Sequence, residues 1–253
     1  MKVLDLFSGI GGFSLGLEWA GMSTVAMCEK DPYCRKILAK HWPDLTIHDD
    51  IRNLDGKRYA ESIDLVCGGF PCQPFSVAGK RKGTNDDRHL WPEMLRVIKE
   101  SRPRWVIGEN VFGFINMALD DVQADLEREH YEVRKFVLPA VAVDAKHRRD
   151  RIILVAYPNN TGVQGSSQQG SDGEVGAQPN DQHTERLGRG GVRVSNPRRE
   201  AEWKPEPDVG RVAHGIPNRV DRIKGLGNAV VPQLIQTIGE LVLAADKEMR
   251  SGR

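Results

Sequence analysis

Lys2-Val3-Leu4-Asp5-Leu6-Phe7-Ser8-Gly9-Ile10-Gly11-Gly12 is the stretch from which the fold can be read. A short apolar run of β-strand length ends in a glycine-rich turn, and the helical pattern Gly12–Trp19 follows at once. Glycine lets the backbone turn tightly and come close to a ligand, while the first turn of the helix presents unpaired N–H groups. The same succession of apolar run and amphipathic stretch recurs along the chain. Lys2–Leu6, Thr24–Cys28, Ile63–Cys67, Arg104–Gly108 and Arg151–Ala156 read as buried strands, and Gly12–Trp19, Asp31–His41, Pro92–Glu100 and Leu119–Glu129 as helices. Strands alternating with helices predict an α/β protein with a parallel sheet covered on both faces.

The 253 residues suffice for one large α/β domain with a small appendage. Residues 1–157 carry the alternating pattern. Residues 158–207 form a polar insert rich in Gly, Ser, Gln, Asn and Asp, which in isolation would read as a linker. Residues 208–253 regain order and end in the amphipathic helix Pro232–Glu248, whose stripe is Leu234, Ile235, Ile238, Leu241, Val242 and Ala245. Lys plus Arg number 36 against 35 for Asp plus Glu, so an anionic partner must be held by local patches. No apolar run approaches the roughly 20 residues of a membrane span, and the strand pattern begins too early for a signal peptide. Cys28, Cys34, Cys67 and Cys72 lack disulfide or zinc spacing, so neither a disulfide framework nor a metal site is expected, and a reducing cytoplasmic setting is.

In an open α/β sheet, ligands settle at the carboxyl ends of the strands, and polar residues gather there. The Phe7–Gly12 loop follows the first strand and Glu29 the second, where a carboxylate can hold two ribose hydroxyls. Asp50 follows the third apolar stretch and could accept from an adenine amino group. Each has a plainer reading, as an ordinary turn, a solvated acid or a helix cap, and a dinucleotide would fit the set as well as an adenosine. The strand Ile63–Cys67 leads into Gly68-Gly69-Phe70-Pro71-Cys72-Gln73-Pro74-Phe75-Ser76. Cys72, among glycines and prolines, is a candidate nucleophile, and Cys67, inside the apolar run, a packed thiol. Glu109-Asn110-Val111 supplies a carboxyl at the next strand end, and Arg149 and Arg151 alternate onto one side of an extended segment. Singly, a buried ion pair or a solvated edge explains these residues. Jointly they offer a nucleophile, an acid and an oxygen clamp at three strand ends.

The sequence resembles the DNA (cytosine-5)-methyltransferases. The resemblance is carried by DLFSGIGG at Asp5–Gly12, GGFPCQPFS at Gly68–Ser76, ENV at Glu109–Val111, HRRDR at His147–Arg151 and GLGNAVVP at Gly225–Pro232, in the family's order. It implies a Rossmann-like methyltransferase fold that binds S-adenosyl-L-methionine, with the 158–207 insert as a small, irregular target-recognition region. It further implies that Phe7, Gly9, Gly11, Gly12, Glu29, Asp50 and Pro71 line the cofactor site. Asn228 and Val230 close its methionine end. By the same resemblance, Cys72 adds to C6 of a flipped-out cytosine in double-stranded DNA, Glu109 assists at N3, and Arg149 and Arg151 hold O2. Gln73, Ser76, Lys80 and Arg88 lie in a loop expected to meet the DNA, and Arg186, Arg189, Arg193, Arg198 and Arg199 of the insert are candidates for sequence readout. Two features depart from the pattern: His147 stands where the family carries glutamine, and the insert is short. A monomer is the expected state. Methylation of tRNA cytosine and a catalytically silent DNA-binding relative are the alternatives; a Rossmann oxidoreductase leaves Pro71-Cys72-Gln73 and the ENV triplet unexplained.

Overall fold

A computed structural model describes residues 1–71, 90–116, 118–139, 150–159 and 219–251. Seven strands form one sheet in the order β3-β2-β1-β4-β5-β7-β6. In chain order they are β1 (Lys2–Leu6), β2 (Ser23–Cys28), β3 (Thr46–His48), β4 (Leu65–Gly69), β5 (Trp105–Val111), β6 (Tyr131–Pro139) and β7 (Asp150–Pro158). The helices are α1 (Gly12–Trp19), α2 (Pro32–His41), α3 (Trp91–Ser101), α4 (Leu119–Arg128), α5 (Arg219–Asn228) and α6 (Pro232–Ser251). The first five strands in the order run parallel, as expected. β7 is antiparallel to both β5 and β6, so the sheet is mixed rather than wholly parallel. The strand β6 is an element the apolar pattern did not mark, and α5 is another.

The two-residue period of the strands sorts the core into two layers. Leu4, Leu6, Val66, Val106, Ile152, Leu154 and Ala156 face α3 and α4, which contribute Met94, Val97, Ile98, Val122 and Leu126. Val3, Leu65, Cys67, Trp105, Ile107, Ile153 and Val155 face α1 and α6, which contribute Phe13, Leu17, Leu234, Ile235, Ile238 and Val242. The polar chain between residues 160 and 218 therefore interrupts one packed body, to which residues 219–251 return.

That return depends on small residues. A Cβ at Gly16 would lie 2.5 Å from the Pro232 carbonyl oxygen and 2.8 Å from Ile235 Cβ, and one at Gly12 would lie 2.9 Å from Val230 Cγ2. A Cβ at Gly239 of α6 would similarly lie only 2.8 Å from Ala20 Cβ. Beyond the apolar seam, Asp246 of α6 accepts from Arg104 Nη1 at 2.7 Å and from Trp105 Nε1 at 3.0 Å. Arg104 Nη2 reaches on to Asp64 at 2.8 Å. By length and composition the stretch Val220–Ser251 could cross a membrane. The helix is broken before Pro232, however, and Leu234, Ile235, Ile238 and Val242 of α6 are buried on α1 and the sheet, whereas Leu241, read as part of the stripe, turns out to solvent.

Candidate active site

The loop after β1 is shaped by backbone conformation. Phe7, Gly9 and Gly11 all have positive φ, at 55°, 56° and 90°. Such a conformation is uncommon for a bulky side chain and marks a strained position, often a functional one. Gly11 begins α1 in the left-handed region, and a side chain there would strike Trp42, whose Cζ3 would be 2.4 Å away. The Trp42 ring is itself held by Nε1 donating to Glu18 Oε1 at 2.9 Å. At Gly9 a Cβ would meet nothing within 4 Å, so the loop borders open space at that point.

Glu29 and Asp50 lie at the ends of neighbouring strands, as the sequence led one to expect. Glu29 Oε2 accepts from the Gly9 amide at 2.7 Å and Oε1 from the Asp31 amide at 2.6 Å, which ties β2 to the glycine loop. Asp50 caps a short 3₁₀ turn, Ile51–Asn53, by accepting from the Arg52 amide at 3.1 Å. It also faces Lys30 at 3.4 Å. Together with partial burial, which opposes them, the Arg52 amide and Lys30 leave its carboxyl below the usual carboxylate range. Asp50 is thus both a strand-end acid and a cap. Asp31, Trp42 and Lys30 are site residues the sequence reading missed; an Asp before Pro32 at a helix start is an N-cap signature, while nothing in the pattern marks Trp42 or Lys30.

At the other end of the site, β4 runs two residues further than predicted, through Gly68 and Gly69. Both are needed for space. A Cβ at Gly68 would lie 2.4 Å from the Leu6 carbonyl oxygen of β1, and one at Gly69 would lie 2.9 Å from Glu109 Oε2. β5 is also longer than expected, so Glu109 stands inside the strand, in register with Gly69 and with Ile153 of β7. Glu109 and Asn110 are both buried. Asn110 Nδ2 donates to the Phe70 carbonyl at 3.0 Å, and its Oδ1 accepts from the Val111 amide at 2.9 Å. This pins the chain just before Pro71. Arg151, the second residue of β7, places Nε 2.8 Å from Glu109 Oε1. A cleft beside this pair is lined by Ile153, Val230, Val231, Leu234 and Ile235, so the returning segment reaches the acid and the arginine.

The structure thus brings together Phe7, Gly9, Gly11 and Glu29 at one end, with Asp50 behind Lys30, and Glu109, Arg151 and Val230 at the other. Gly12 lies between them against Val230. Asn228 is the last residue of α5 and is exposed, and Pro71 is the last described residue before the cysteine. Cys72, Gln73, Ser76, Lys80, Arg88 and Arg149 lie outside the described residues, as do Arg186, Arg189, Arg193, Arg198 and Arg199. Cys28, Cys34 and Cys67 are buried free thiols; burial comes first among the causes that push Cys28 up to about 12 and Cys34 to about 11, so they are not candidate nucleophiles.

A family model described as C-5 cytosine-specific DNA methylase matches residues 1–190. The chain belongs to that family. Among curated members, it is 37% identical over 167 residues to the Type II methyltransferase M.Eco47II of Escherichia coli, an alignment covering 62% of this chain and 40% of that one. It is 39% identical over 161 residues to M.PspPI of a Psychrobacter species, covering 61% and 39%. Against M.AquIA of a Picosynechococcus species the identity is 36% over 175 residues, covering 61% and 71%. The chain therefore spans about two fifths of the length of the first two of these relatives. Among solved structures, it resembles Dnmt2 of S. pombe with a TM-score of 0.55 and 26% identity, over 65% of this chain and 53% of that one. A prophage-encoded DNA modification methyltransferase of E. coli gives a TM-score of 0.55 and 25% identity, over 66% and 49%. The seven-stranded sheet of this chain, with β7 antiparallel between β5 and the edge strand β6, has the methyltransferase fold of these relatives.

Proposed function

We propose that this C-5 methylase family member transfers a methyl group from S-adenosyl-L-methionine to C5 of a cytosine in double-stranded DNA. The observation that carries the reading is the buried Glu109 carboxylate held 2.8 Å from Arg151 Nε, beside the strand end that runs into Pro71 and Cys72. In support of the cofactor, the glycine loop leaves room at Gly9, and Glu29 and Asp50 offer carboxylates at adjacent strand ends. Phe7, Gly9, Gly11, Gly12, Glu29, Asp50, Pro71, Asn228 and Val230 would hold it. When bound, it supplies an electrophilic methyl group.

The chain's own residues deal with the weak nucleophilicity of cytosine C5. Cys72, as thiolate, adds to C6 and makes the ring an enamine, a covalent step that divides one hard reaction into easier ones. Glu109 donates a hydrogen bond or proton to N3 as electrons enter the ring, and Arg149 with Arg151 stabilises charge at O2. Once C5 is methylated, loss of the C5 proton and expulsion of Cys72 restore the aromatic ring. C6 is out of reach inside a duplex, so the base must be flipped out at a cost of a few kcal/mol. The Gln73, Ser76, Lys80 and Arg88 loop is proposed to meet the DNA backbone, and residues 158–207 to read sequence.

Bisulfite sequencing of plasmid DNA from a methylation-deficient host tests the reading. Cytosines protected in one recurring short context with the wild type, and not with Cys72→Ala, are the expected result. Unprotected DNA alongside methyl incorporation into tRNA would overturn the DNA assignment, and no transfer to either would overturn catalysis.

A further inference from the structure

We propose that Lys224 is a positioning residue that latches the C-terminal segment onto the adenosine end of the cofactor site through Asp31, an inference that rests on the cofactor reading above. Lys224 lies on α5, and its Nζ donates to Asp31 Oδ2 at 2.7 Å across 193 residues of sequence. Asp31 is a shared node. Its Oδ1 caps α2 by accepting from the Tyr33 amide at 2.9 Å, and its own amide donates to Glu29 Oε1 at 2.6 Å. The other oxygen of Glu29 takes the Gly9 amide. The lysine is therefore one hydrogen-bonded residue removed from the carboxylate assigned to the ribose, and two from the glycine loop.

Packing beside the pair points the same way. The residue after the lysine is Gly225, where a Cβ would lie 3.2 Å from Ile10 Cγ2 in the glycine loop and 4.0 Å from the Tyr33 ring. α5 thus sits directly on the loop that holds the adenosine, and Gly225 permits the approach. Further along, Val230 closes on Gly12 and lines the cleft at Glu109. One short segment touches both ends of the site, and Lys224–Asp31 is its charged attachment at the adenosine end. The lysine's ammonium also holds the Asp31 carboxyl below the usual carboxylate range, the hydrogen bond from Lys224 being the largest cause.

The lysine side chain is 61% exposed, so the pair contributes a modest energy and its effect is one of placement. Lys224→Ala, Asp31→Asn and the double variant are titrated with S-adenosylhomocysteine by calorimetry. Each single substitution is expected to weaken binding by about two- to fivefold, the double variant to be no weaker than the worse single, and Lys224→Arg to recover most of the loss. KM for S-adenosylmethionine should rise by the same factor, with kcat moving less. Hydrogen exchange over residues 219–228 in the cofactor-free protein should be faster in Lys224→Ala than in wild type. Unchanged binding in both single variants, or additive losses, would overturn the inference. Wild-type protein that binds no S-adenosylhomocysteine would overturn the cofactor reading instead; exchange over α5 then decides the latch alone, and equal rates would reject it.

Discussion

Arg151 Nε and Glu109 Oε1 stand 2.8 Å apart across the antiparallel β5–β7 pair, on the face covered by α1 and α6. The two residues are not directly opposite, since Glu109 registers with Ile153 and Arg151 with Val111, so the arginine reaches diagonally along the sheet. Long side chains make such diagonal contacts readily. The pair is a fixed acid beside a fixed cation, next to the strand end that leads to Cys72, the proposed nucleophile. Glu109→Gln preserves volume but can neither ionise nor pass an acidic proton to N3. Turnover should fall by about 10²–10⁴-fold, with the dissociation constant for duplex DNA changed far less. Single-turnover methylation and a filter-binding titration check this; equal losses in both would make Glu109 a structural residue.

Gly69 tests how finely that carboxyl is placed. A methyl group at this position would press on Glu109 Oε2 from 2.9 Å, and the neighbour that must yield is the mobile end of a side chain rather than backbone. Folding should tolerate the change, while Glu109 shifts away from its position. Gly69→Ala is therefore expected to melt within a few degrees of wild type yet lose about 10-fold or more in kcat, since small misplacements of catalytic groups are costly. Gly68→Ala is the contrasting variant. There the clash is with the Leu6 carbonyl of β1 at 2.4 Å, so stability itself should drop. If Gly69→Ala kept full activity, the carboxyl would not need its observed position.

The elements that could be read from the chain are those whose burial writes a period into the sequence. Leu4 and Leu6 face one layer and Val3 the other, and the same alternation runs through Leu65–Cys67 and Ile152–Ala156, so these strands were legible. β6 was not, because Arg134, Lys135, Phe136 and Val137 are exposed in succession and its strand form comes from pairing with β7. The antiparallel course of β7, which lies between β5 and the edge strand β6, is likewise a property of connection, which apolar pattern does not carry. Gly68 and Gly69 read as lying beyond the strand, yet they continue β4, Gly68 because a side chain there would strike the Leu6 backbone and Gly69 because it leaves the Glu109 carboxyl in place. The site was legible as residue types at strand ends. Its bracing by Asn110 and Trp42 was not, since each acts through a contact distant in sequence.

Gly16 decides whether the C-terminal segment can close. In α1 a glycine costs helix stability relative to alanine by about 1 kcal/mol, so an isolated helix would gain from Gly16→Ala. In the folded chain the added methyl would lie 2.5 Å from the Pro232 carbonyl oxygen, a backbone atom, and 2.8 Å from Ile235 Cβ. Overpacking of this kind costs about 1–3 kcal/mol, which outweighs the propensity gain. The variant should melt several degrees lower, by about 2–4 °C per kcal/mol at this size, and bind S-adenosylhomocysteine more weakly because Val230 moves with Pro232. Thermal melting with and without the ligand reads both effects. A rise in melting temperature would mean that the seam relaxes at no cost.

Asp5 gives the fold a pH dependence of its own. Its carboxyl is fully buried on the α1 side of β1, accepts from Ser14 Oγ at 2.6 Å, and has one oxygen, Oδ1, without a hydrogen-bond partner among the described residues. Burial, only partly offset by Ser14, pushes it up to about 7 from an ordinary 3.8. An acid whose affinity for protons rises on folding favours the folded state while the proton is bound. Its contribution is complete below pH 3.8 and is lost as pH rises to about 7, on the order of 4 kcal/mol at most. Stability should therefore decline across pH 5–7.5 more steeply in wild type than in Asp5→Asn, whose neutral amide keeps an acceptor for Ser14 and cannot ionise. Urea midpoints at pH 5.5 and pH 8 measure the difference, and the variant should gain on wild type at the higher pH. Parallel pH profiles for the two proteins would show that Asp5 already ionises in the folded state at low pH.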